Sequence, residues 1–373
     1  MSEVIVEVIG RVGFITLNRP RALNALSLPM VRSLSAALLA WRYDPQVLAV
    51  AIRGMGKDAN KPSGSAPFGA FCAGGDLRFF HQTISAGGPE LEDFFTEEYQ
   101  LNYLIHTYPK PYIAFMDGIV MGGGMGISQG ASLRIVTEQT KMAMPETRVG
   151  LFPDVGGGYF LSRCAGRMGE YLGLTGRMLS GAEAVGVGLA EGMAQAERLP
   201  ALWAALGETA FGSSVEVQQW LIGQLAPRQT MGASAWPLAQ IDAVFGLPTV
   251  GEIIQALEAD TSDWAQASAK SLRELSPLML AVSLAQIRRA RSMRLADELR
   301  MERDMVRHCF NPVHLGRSGL KSETMEGIRA LAVDKDHHPQ WSPSLIEDVT
   351  LEMVEGFFVS PWPAQAHPLR DLG

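Results

Sequence analysis

The chain has 373 residues, a formal net charge of −7, and a composition with 47% hydrophobic and 19% charged residues. These proportions are typical of a globular protein with a large core, and they exclude the disordered and fibrous classes. The acidic balance supplies no basic field for nucleic acid, and no window offers the roughly 20 apolar residues of a membrane span, so neither partner is expected.

Strand and helix patterns alternate in the first part of the chain. The segments Val4–Val8 and Val12–Leu17 predict a β-hairpin with a short turn. Ser27 is the predicted N-cap of a helix whose apolar residues recur with a period near 3.6, from Met30 to Trp41. This alternation favours a βαβ organisation with a mainly parallel sheet.

Two glycine-rich elements each lie between an apolar strand and a predicted helix. They are FCAGGDL at Phe71–Leu77 and DGIVMGGG at Asp117–Gly124, and a predicted surface loop, residues 55–69, precedes the first. A helix start provides unpaired N–H groups, and glycine lets a ligand oxygen approach them. Two such donors can form an oxyanion hole for acyl transfer. A single glycine cluster more often means a tight turn or close packing.

Two carboxylates follow prolines beyond the second glycine element. Glu146 ends the short apolar strand Met142–Met144 after Pro145, and Asp154 follows Pro153 eight residues later. Paired carboxylates at this spacing are candidate acid and base partners for chemistry at a carbonyl. In the alternative interpretation, Glu146 binds a backbone N–H and Asp154 caps the next helix. The residues alone leave both interpretations open, and they favour the cap for Asp154.

Strand signals fade after about Gly181, and the rest of the chain reads as helices. Ser276 and Pro277 predict a helix start, and the segment Met293–His308 predicts an amphipathic helix with Leu295, Leu299 and Val306 facing inward. The Pro- and Ala-rich tail is predicted to be loosely held. We therefore predict a core over residues 1–200 that carries the active site, a helical region over 201–360 and a loose tail over 361–373.

Cysteine and histidine spacing gives no sign of a metal site. Cys72, Cys164 and Cys309 are far apart and lack C-x-x-C spacing, so neither a disulfide framework nor structural zinc is expected. The histidines show no metal-ligand spacing either. The N-terminus enters a strand pattern at once and has no basic or apolar leader, which predicts a cytoplasmic protein.

The glycine elements, together with MPETRVGLFPDVGGGYF at Met144–Phe160, resemble the signatures of the crotonase, or enoyl-CoA hydratase/isomerase, superfamily. The FPDVGGGYF portion, EEYQLN from Glu97, and EGIRA from Glu326 with the DKD that follows it resemble the 3-hydroxyisobutyryl-CoA hydrolase subgroup. The matches run from Asn18 to Trp341. The resemblance implies an α/β fold, the crotonase (ClpP-like) spiral of repeated ββα units with a helical C-terminal region. It also implies hydrolysis of a 3-hydroxyacyl-CoA thioester in valine breakdown, with no metal or redox cofactor, and it leaves a homo-oligomer open.

The resemblance also assigns residues to roles. Glu146 takes the place of the catalytic carboxylate and Asp154 that of a substrate-contacting aspartate, while the N–H groups of Gly75 and Gly123 would hold the thioester oxygen. Gly74 and Asp76 lie beside the first donor and are expected to contact substrate. Glu98 would contact the hydroxyl end of the acyl group, whereas its position alone indicates a solvated glutamate on a helix face. Its neighbour Glu97 serves as the comparison.

One departure from the family pattern separates the candidate activities. Crotonase hydratases carry the first of two glutamates two residues past the glycine triplet, and that position is Gly126 here. A glycine cannot shuttle a proton, so water addition across a double bond is disfavoured. The alternatives are a hydratase or isomerase that uses Glu146 alone or with Asp154, and a protein that binds acyl-CoA without turnover.

The basic residues of the C-terminal region have two interpretations. Arg329 and Lys335 would contact CoA phosphates or would carry ordinary surface charge. Glu326, Arg329 and Asp336 would alternatively tie the C-terminal helices in place.

Overall fold

The computed structural model describes residues 2–57, 68–226 and 236–373, so residues 58–67 of the predicted surface loop lie outside the described residues. Contacts divide the chain into two compact units. The first comprises residues 1–75, 100–143 and 178–235, and the second comprises residues 76–99, 144–177 and 236–373. The units interleave along the chain and do not follow the predicted boundaries at residues 200 and 360.

The first unit contains two sheets. Their strands are β1 (Val4–Ile9), β2 (Val12–Leu17), β3 (Ala49–Gly54), β4 (Tyr112–Met116), β5 (Ile119–Met121), β6 (Leu133–Val136), β7 (Lys141–Ala143), β8 (Leu179–Ser180) and β9 (Gly192–Met193). The order is β1-β2-β3-β4-β6-β9 in one sheet and β5-β7-β8 in the other. β1 and β2 form the predicted antiparallel hairpin, and β2 to β9 of the larger sheet pair in parallel. Because β4 to β7 alternate between the two sheets, the chain follows the predicted spiral of ββα turns.

Helices occupy most of the remaining described chain. They are α1 (Leu28–Trp41), α2 (Leu77–Ala86), α3 (Glu90–His106), α4 (Gly123–Gln129), α5 (Gly157–Leu161), α6 (Met168–Thr175), α7 (Gly181–Gly186), α8 (Leu199–Glu208), α9 (Ser214–Ile222), α10 (Leu238–Phe245), α11 (Val250–Ala259), α12 (Asp263–Glu274), α13 (Pro277–Ala290), α14 (Leu295–Phe310), α15 (Glu323–Ile328) and α16 (Leu351–Glu355). The predicted N-cap of α1 is confirmed, because the Ser27 hydroxyl accepts a hydrogen bond from Met30 N at 3.3 Å.

The core of the first unit lies between the larger sheet and α8 and α9. Trp203 of α8 contacts Phe14 of β2 with ring centroids 4.7 Å apart, and Phe115 of β4 at 5.4 Å. Both separations are in the range of favourable edge-to-face aromatic pairs. Arg53 places its guanidinium 4.4 Å from the Trp203 ring centre, and burial lowers its pKa to about 10. Helices from beyond residue 193 therefore help to build the same core as the strands.

In the second unit, helix α13 packs against α5, α6 and α16. Its predicted start is confirmed, because the Ser276 hydroxyl accepts a hydrogen bond from Met279 N. The predicted inward face of α14 is also confirmed, since Leu295, Leu299 and Val306 are buried. Residues 76–99 and 144–177 pack with these later helices, and this is why the two units interleave along the sequence.

The C-terminal tail is fixed at two residues, so the prediction of a loosely held tail is wrong there. His367 and Leu369 are buried, and Leu369 N donates to His367 Nδ1 at 3.0 Å. Arg300 Nε of α14 donates to the Leu369 carbonyl at 3.0 Å. The burial of Leu369 and its hydrogen bond from Arg300 outweigh the Pro- and Ala-rich composition of the tail.

Replacing Gly124 by Ala should lower the stability of the first unit markedly. A Cβ on Gly124 would fall well inside contact distance of the Cys72 carbonyl oxygen, which is backbone and cannot turn away. The expected loss is at least about 1–3 kcal/mol, the usual effect of overpacking, measured by denaturant unfolding. Gly251→Ala in α11 is the control, since its added Cβ would make only an ordinary contact with Thr249 Oγ1 at 3.9 Å and alanine favours a helix. Equal stability of the two variants would contradict the close approach of Gly124 to Cys72.

Candidate active site

The two glycine elements are neighbours in the first unit. Cys72 N donates to the Ile119 carbonyl at 2.9 Å, and Met121 N donates to the Cys72 carbonyl at 3.0 Å. Gly74 has a φ of +102°, and a Cβ placed on it would lie 3.7 Å from Gly123 N. The elements that carry the predicted donors, Gly75 and Gly123, therefore lie side by side, although their role as an oxyanion hole stays a prediction.

Glu146 begins a short 3₁₀ turn, Glu146–Val149, directly after Pro145. Its side chain is buried, and its Oε2 has no hydrogen-bond partner among the described residues. Burial raises the pKa of the Glu146 carboxyl well above its ordinary value, and the negative charges of Asp154 and Glu302 raise it further. A buried carboxylate with an open oxygen and a raised pKa is a stronger base than an exposed one.

Asp154 lies in a bend of unusual backbone geometry. Val155 has a φ of +58°, a conformation that β-branched residues rarely adopt, and Gly156 follows with +85°. Gly156 is the N-cap of α5, and Asp154 Oδ2 instead accepts a hydrogen bond from Tyr99 OH at 2.9 Å. The helix-cap interpretation of the Asp154 side chain is therefore wrong. Burial, with the charge of Glu302, raises the pKa of Asp154 to about 7.

Glu98 is buried on α3, so the interpretation as a solvated glutamate is wrong. Its Oε1 has no hydrogen-bond partner in the part of the chain that the structure describes. Burial raises the pKa of Glu98 well above its ordinary value, and the negative charges of Asp154 and Glu302 raise it further. Glu97, the next residue back, is only half-buried. The second unit therefore brings together the three carboxylates that the resemblance singled out: Glu98, Glu146 and Asp154.

Three further polar side chains join this group, and the sequence reasoning missed them. Glu298 and Glu302 of α14 and Gln286 of α13 are fully buried. Glu302 Oε2 accepts a hydrogen bond from Gly156 N at 2.8 Å, and Gln286 Nε2 donates to Glu302 Oε1 at 2.8 Å. A sequence signal existed, because two glutamates stand within the helical stripe that carries Leu295 and Leu299. Charged residues on an apolar face are rarely buried without a partner.

Other predicted site residues have structural partners. The Asp76 side chain caps α2 by accepting from Phe79 N at 3.3 Å, and its contact with substrate stays a prediction. Arg329 forms ion pairs with Glu326, Asp334 and Asp336, which favours the interpretation that these residues tie the C-terminal helices in place. Within residues 2–57, 68–226 and 236–373, no group of three or more His, Cys, Asp or Glu is arranged to hold a metal ion. In the same residues, no helix is long and apolar enough to cross a membrane.

Comparison with known proteins places this site in a family. The model of a family described as enoyl-CoA hydratase/isomerase matches residues 12–358. A mitochondrial 3-hydroxyisobutyryl-CoA hydrolase of Xenopus tropicalis is 38% identical over 363 residues, which cover 96% of this chain and 89% of that protein. The 3-hydroxyisobutyryl-CoA hydrolase 1 of Arabidopsis thaliana is 40% identical over 367 residues, covering 96% and 91%.

Solved structures agree on the fold. A carnitinyl-CoA dehydratase from Mycobacterium thermoresistibile has a TM-score of 0.85 at 36% identity, covering 100% of this chain and 99% of that one. An enoyl-CoA hydratase from Rhodobacter sphaeroides has a TM-score of 0.80 at 34% identity, covering 96% and 98%. The chain belongs to the enoyl-CoA hydratase/isomerase, or crotonase, family, and its sequence groups with the 3-hydroxyisobutyryl-CoA hydrolases of that family.

Proposed function

We propose that this protein is an acyl-CoA thioester hydrolase that cleaves 3-hydroxyisobutyryl-CoA, or a close 3-hydroxyacyl relative, to the free acid and CoA. The observation that carries the proposal is the buried Glu146 carboxyl, whose Oε2 is open and whose pKa burial raises. Relatives that align over 96% of the chain are named 3-hydroxyisobutyryl-CoA hydrolases. Hydrolysis of this ester would place the protein in valine breakdown.

In the proposed reaction, Glu146 promotes the attack on the thioester carbonyl carbon. In its ionised form, the carboxylate takes a proton from water as the water oxygen attacks the thioester carbon. Alternatively, it attacks that carbon itself and forms an anhydride that water then opens. In both routes the C–S bond breaks, and the CoA sulfur leaves as a thiolate that takes up a proton. The resemblance assigns the N–H groups of Gly75 and Gly123 to the negative oxygen of the intermediate.

The other two carboxylates suit a substrate hydroxyl. Glu98 Oε1 is a buried acceptor without a donor among the residues described, and Asp154 carries a second buried carboxyl that is held by Tyr99 OH. A buried acceptor left without a donor is unfavourable by about 1–3 kcal/mol. A 3-hydroxyl group would supply the missing donor, so plain acyl chains would be hydrolysed less well.

The rival activity is hydration or dehydration of the acyl chain. It deserves a direct test because two similar structures are named as a dehydratase and a hydratase. Against it stands Gly126, which has no side chain for the second proton transfer. Thiol release from saturated 3-hydroxyisobutyryl-CoA supports the hydrolase. Loss of enoyl absorbance without thiol release would support the hydratase, and tight binding without either change would support a non-catalytic protein.

The proposal includes no metal or redox cofactor, because a carboxylate and backbone N–H groups supply both the base and the anion stabilisation. A cytoplasmic location stays a prediction, and it contrasts with relatives whose names include the word mitochondrial.

The Glu98→Ala variant should impair hydrolysis of 3-hydroxyisobutyryl-CoA much more than Glu97→Ala does. Glu98 is buried beside Asp154, whereas Glu97 is half-buried on the same helix. We expect kcat/KM to fall by about 10-fold or more for Glu98→Ala, because the substrate hydroxyl would lose its buried hydrogen-bond partner, and by less than about 3-fold for Glu97→Ala. The measurement is thiol release with and without the 3-hydroxyl on the acyl chain. Similar losses in both variants would show that Glu98 does not contact the substrate hydroxyl.

A further inference from the structure

The segment 153–158, which carries Asp154, is held at three backbone points by two buried side chains. Gln286 Nε2 of α13 donates to the Pro153 carbonyl at 2.7 Å. Glu302 of α14 accepts from Gly156 N at 2.8 Å and from Gly158 N at 3.2 Å. Gln286 Nε2 also donates to Glu302 Oε1, so the two side chains support each other. Asp154, whose carboxylate contacts substrate in the proposed reaction, therefore lies in a segment that Gln286 and Glu302 hold in place.

This segment needs such support because its backbone is strained. Val155 and Gly156 both have positive φ, and a β-branched residue in that region is unfavourable by about 1–3 kcal/mol unless its surroundings determine it. Glu302 binds the N–H group directly after Val155 and a second one two residues on. Gly158 also leaves no room for a side chain, since a Cβ there would lie 2.5 Å from Glu298 Oε1. The turn therefore packs closely against both helices.

Glu302 also acts on Asp154 through charge. The groups that face Asp154 are Glu98 and Tyr99 of α3, Glu146 of the turn after Pro145, and Glu302 and Cys309 of α14. Of these, Glu302 is the charged group that raises the pKa of Asp154 most, and it also raises that of Glu146. Neither carboxylate oxygen of Glu298 has a hydrogen-bond partner among the described residues, and after burial its negative charge is the main influence that raises the pKa of Glu302.

We propose that Glu302 is a positioning residue for the thioesterase reaction: by binding the N–H groups of Gly156 and Gly158, it fixes the strained turn that presents Asp154 to the substrate. The proposal rests on the proposed function and deepens it. Glu302 touches neither substrate nor the reacting atoms in this scheme, and it acts through the backbone of residues 153–158 and through its field at Asp154.

The test compares Glu302→Gln with Glu323→Gln. Glutamine has nearly the size of glutamate, but an NH₂ group replaces one of the two carboxylate oxygens. Only one of the two glycine N–H groups can then keep its acceptor. Glu323 is the matched control: it is buried in the same unit and accepts from Ser276 OH and Ser342 N, but it does not bind residues 153–158. Both variants should lose some thermal stability. Only Glu302→Gln should lose hydrogen-exchange protection in peptides that cover residues 153–160.

Activity supplies the second readout. In Glu302→Gln, kcat for thiol release should fall by roughly 10- to 100-fold, because small displacements of a site residue have effects of this size. The acid limb of kcat/KM should move to lower pH over the range in which Glu302 ionises, since its negative charge there raises the pKa of both Asp154 and Glu146. Glu323→Gln should show neither change. If Glu302→Gln does not fold, Gln286→Met, which removes the contact with the Pro153 carbonyl, should show a smaller fall of kcat and a smaller loss of exchange protection over residues 153–160.

A folded Glu302→Gln protein with the parent kcat and an unmoved acid limb would overturn the proposal. So would equal losses of activity in Glu302→Gln and Glu323→Gln, since these would indicate a general loss of structure. The proposed function fails separately, if the parent protein releases no thiol. Hydrogen exchange would then still show whether Glu302 fixes residues 153–158, because that readout needs no turnover.

Discussion

Replacing Glu146 by Gln should lower kcat for thiol release from 3-hydroxyisobutyryl-CoA by at least about 10²-fold, because both routes to hydrolysis require the carboxylate. The amide can still hydrogen-bond, so binding of the CoA ester should persist. Folding should also persist. Burial already favours the uncharged form of this side chain, as the raised pKa indicates, and glutamine is uncharged at every pH.

Three measurements define this result: kcat from thiol release, the dissociation constant of a non-hydrolysable CoA analogue, and the free energy of unfolding near neutral pH. Glu97→Gln is the control, since it makes the same chemical change on a half-buried residue. Retention of more than about a tenth of the parent kcat would exclude Glu146 from the chemical step, because general-base catalysis is typically worth at least 10²-fold. A protein that loses both binding and stability would instead point to a structural role.

The sequence predicted the regular elements well because their signals are local. The hairpin, the N-caps at Ser27 and Ser276 and the apolar face of α14 depend on residues within a few positions of each other. The family motifs located Glu146 and Asp154, and the structure places both in one buried group with Glu98. What the local pattern could not give was the environment of these carboxylates.

Asp154 shows why that environment was beyond local patterns. An aspartate just before a glycine-rich helix usually caps it, yet here a left-handed Val155 turns the side chain to Tyr99. The support for that conformation comes from Glu302, which is 146 residues away from Gly156 in the chain. Contacts of this separation decide burial, and burial decides the pKa of each carboxyl. The same reasoning explains why Glu98 lies in the interior although its helix reads as partly exposed.

Activity and stability should respond to pH with opposite signs, because the same buried carboxyls control both. Activity needs Glu146 ionised, and its raised pKa moves the acid limb of kcat/KM to well above the ordinary glutamate range. Below that limb, activity should fall about 10-fold per pH unit for a single essential carboxylate. Thiol release should therefore increase steeply from acid pH toward neutral pH.

The free energy of unfolding should fall over the same range. The largest contributions come from the five carboxyls of the buried group, all with raised pKa values: Glu98, Glu146, Asp154, Glu298 and Glu302. Asp117 and Glu323 also have raised pKa values and act in the same direction. Each has a higher pKa in the folded chain than in the unfolded chain, so the folded state binds more protons between the two values. The stability that these carboxyls contribute is fully present below their pKa in the unfolded chain. It is lost as the pH rises through their pKa in the folded chain, which is about 7 for Asp154 and Glu298.

One group opposes this trend. Burial and the nearby charges of His308 and Arg317 lower the pKa of His314 to about 4, so its contribution to stability increases as pH rises through the unfolded histidine value. A single histidine is outweighed by five carboxyls, since each unit of pKa shift corresponds to about 1.4 kcal/mol. The net change between about pH 5.5 and about pH 8.5 should be a loss of a few kcal/mol.

Urea unfolding at these two pH values, beside thiol release over the same range, measures both trends. Glu298→Gln should flatten the decline in stability, because it removes one group that takes up a proton on folding, and the loss of Glu298 leaves the open Oε2 of Glu146 untouched. Glu97→Gln should leave the slope unchanged. If the parent protein became more stable as the pH rose across this window, the five carboxyls would be ionised in the folded chain. The acid limb of activity would then have to lie near the ordinary carboxylate range, and the raised basicity assigned to Glu146 would be wrong.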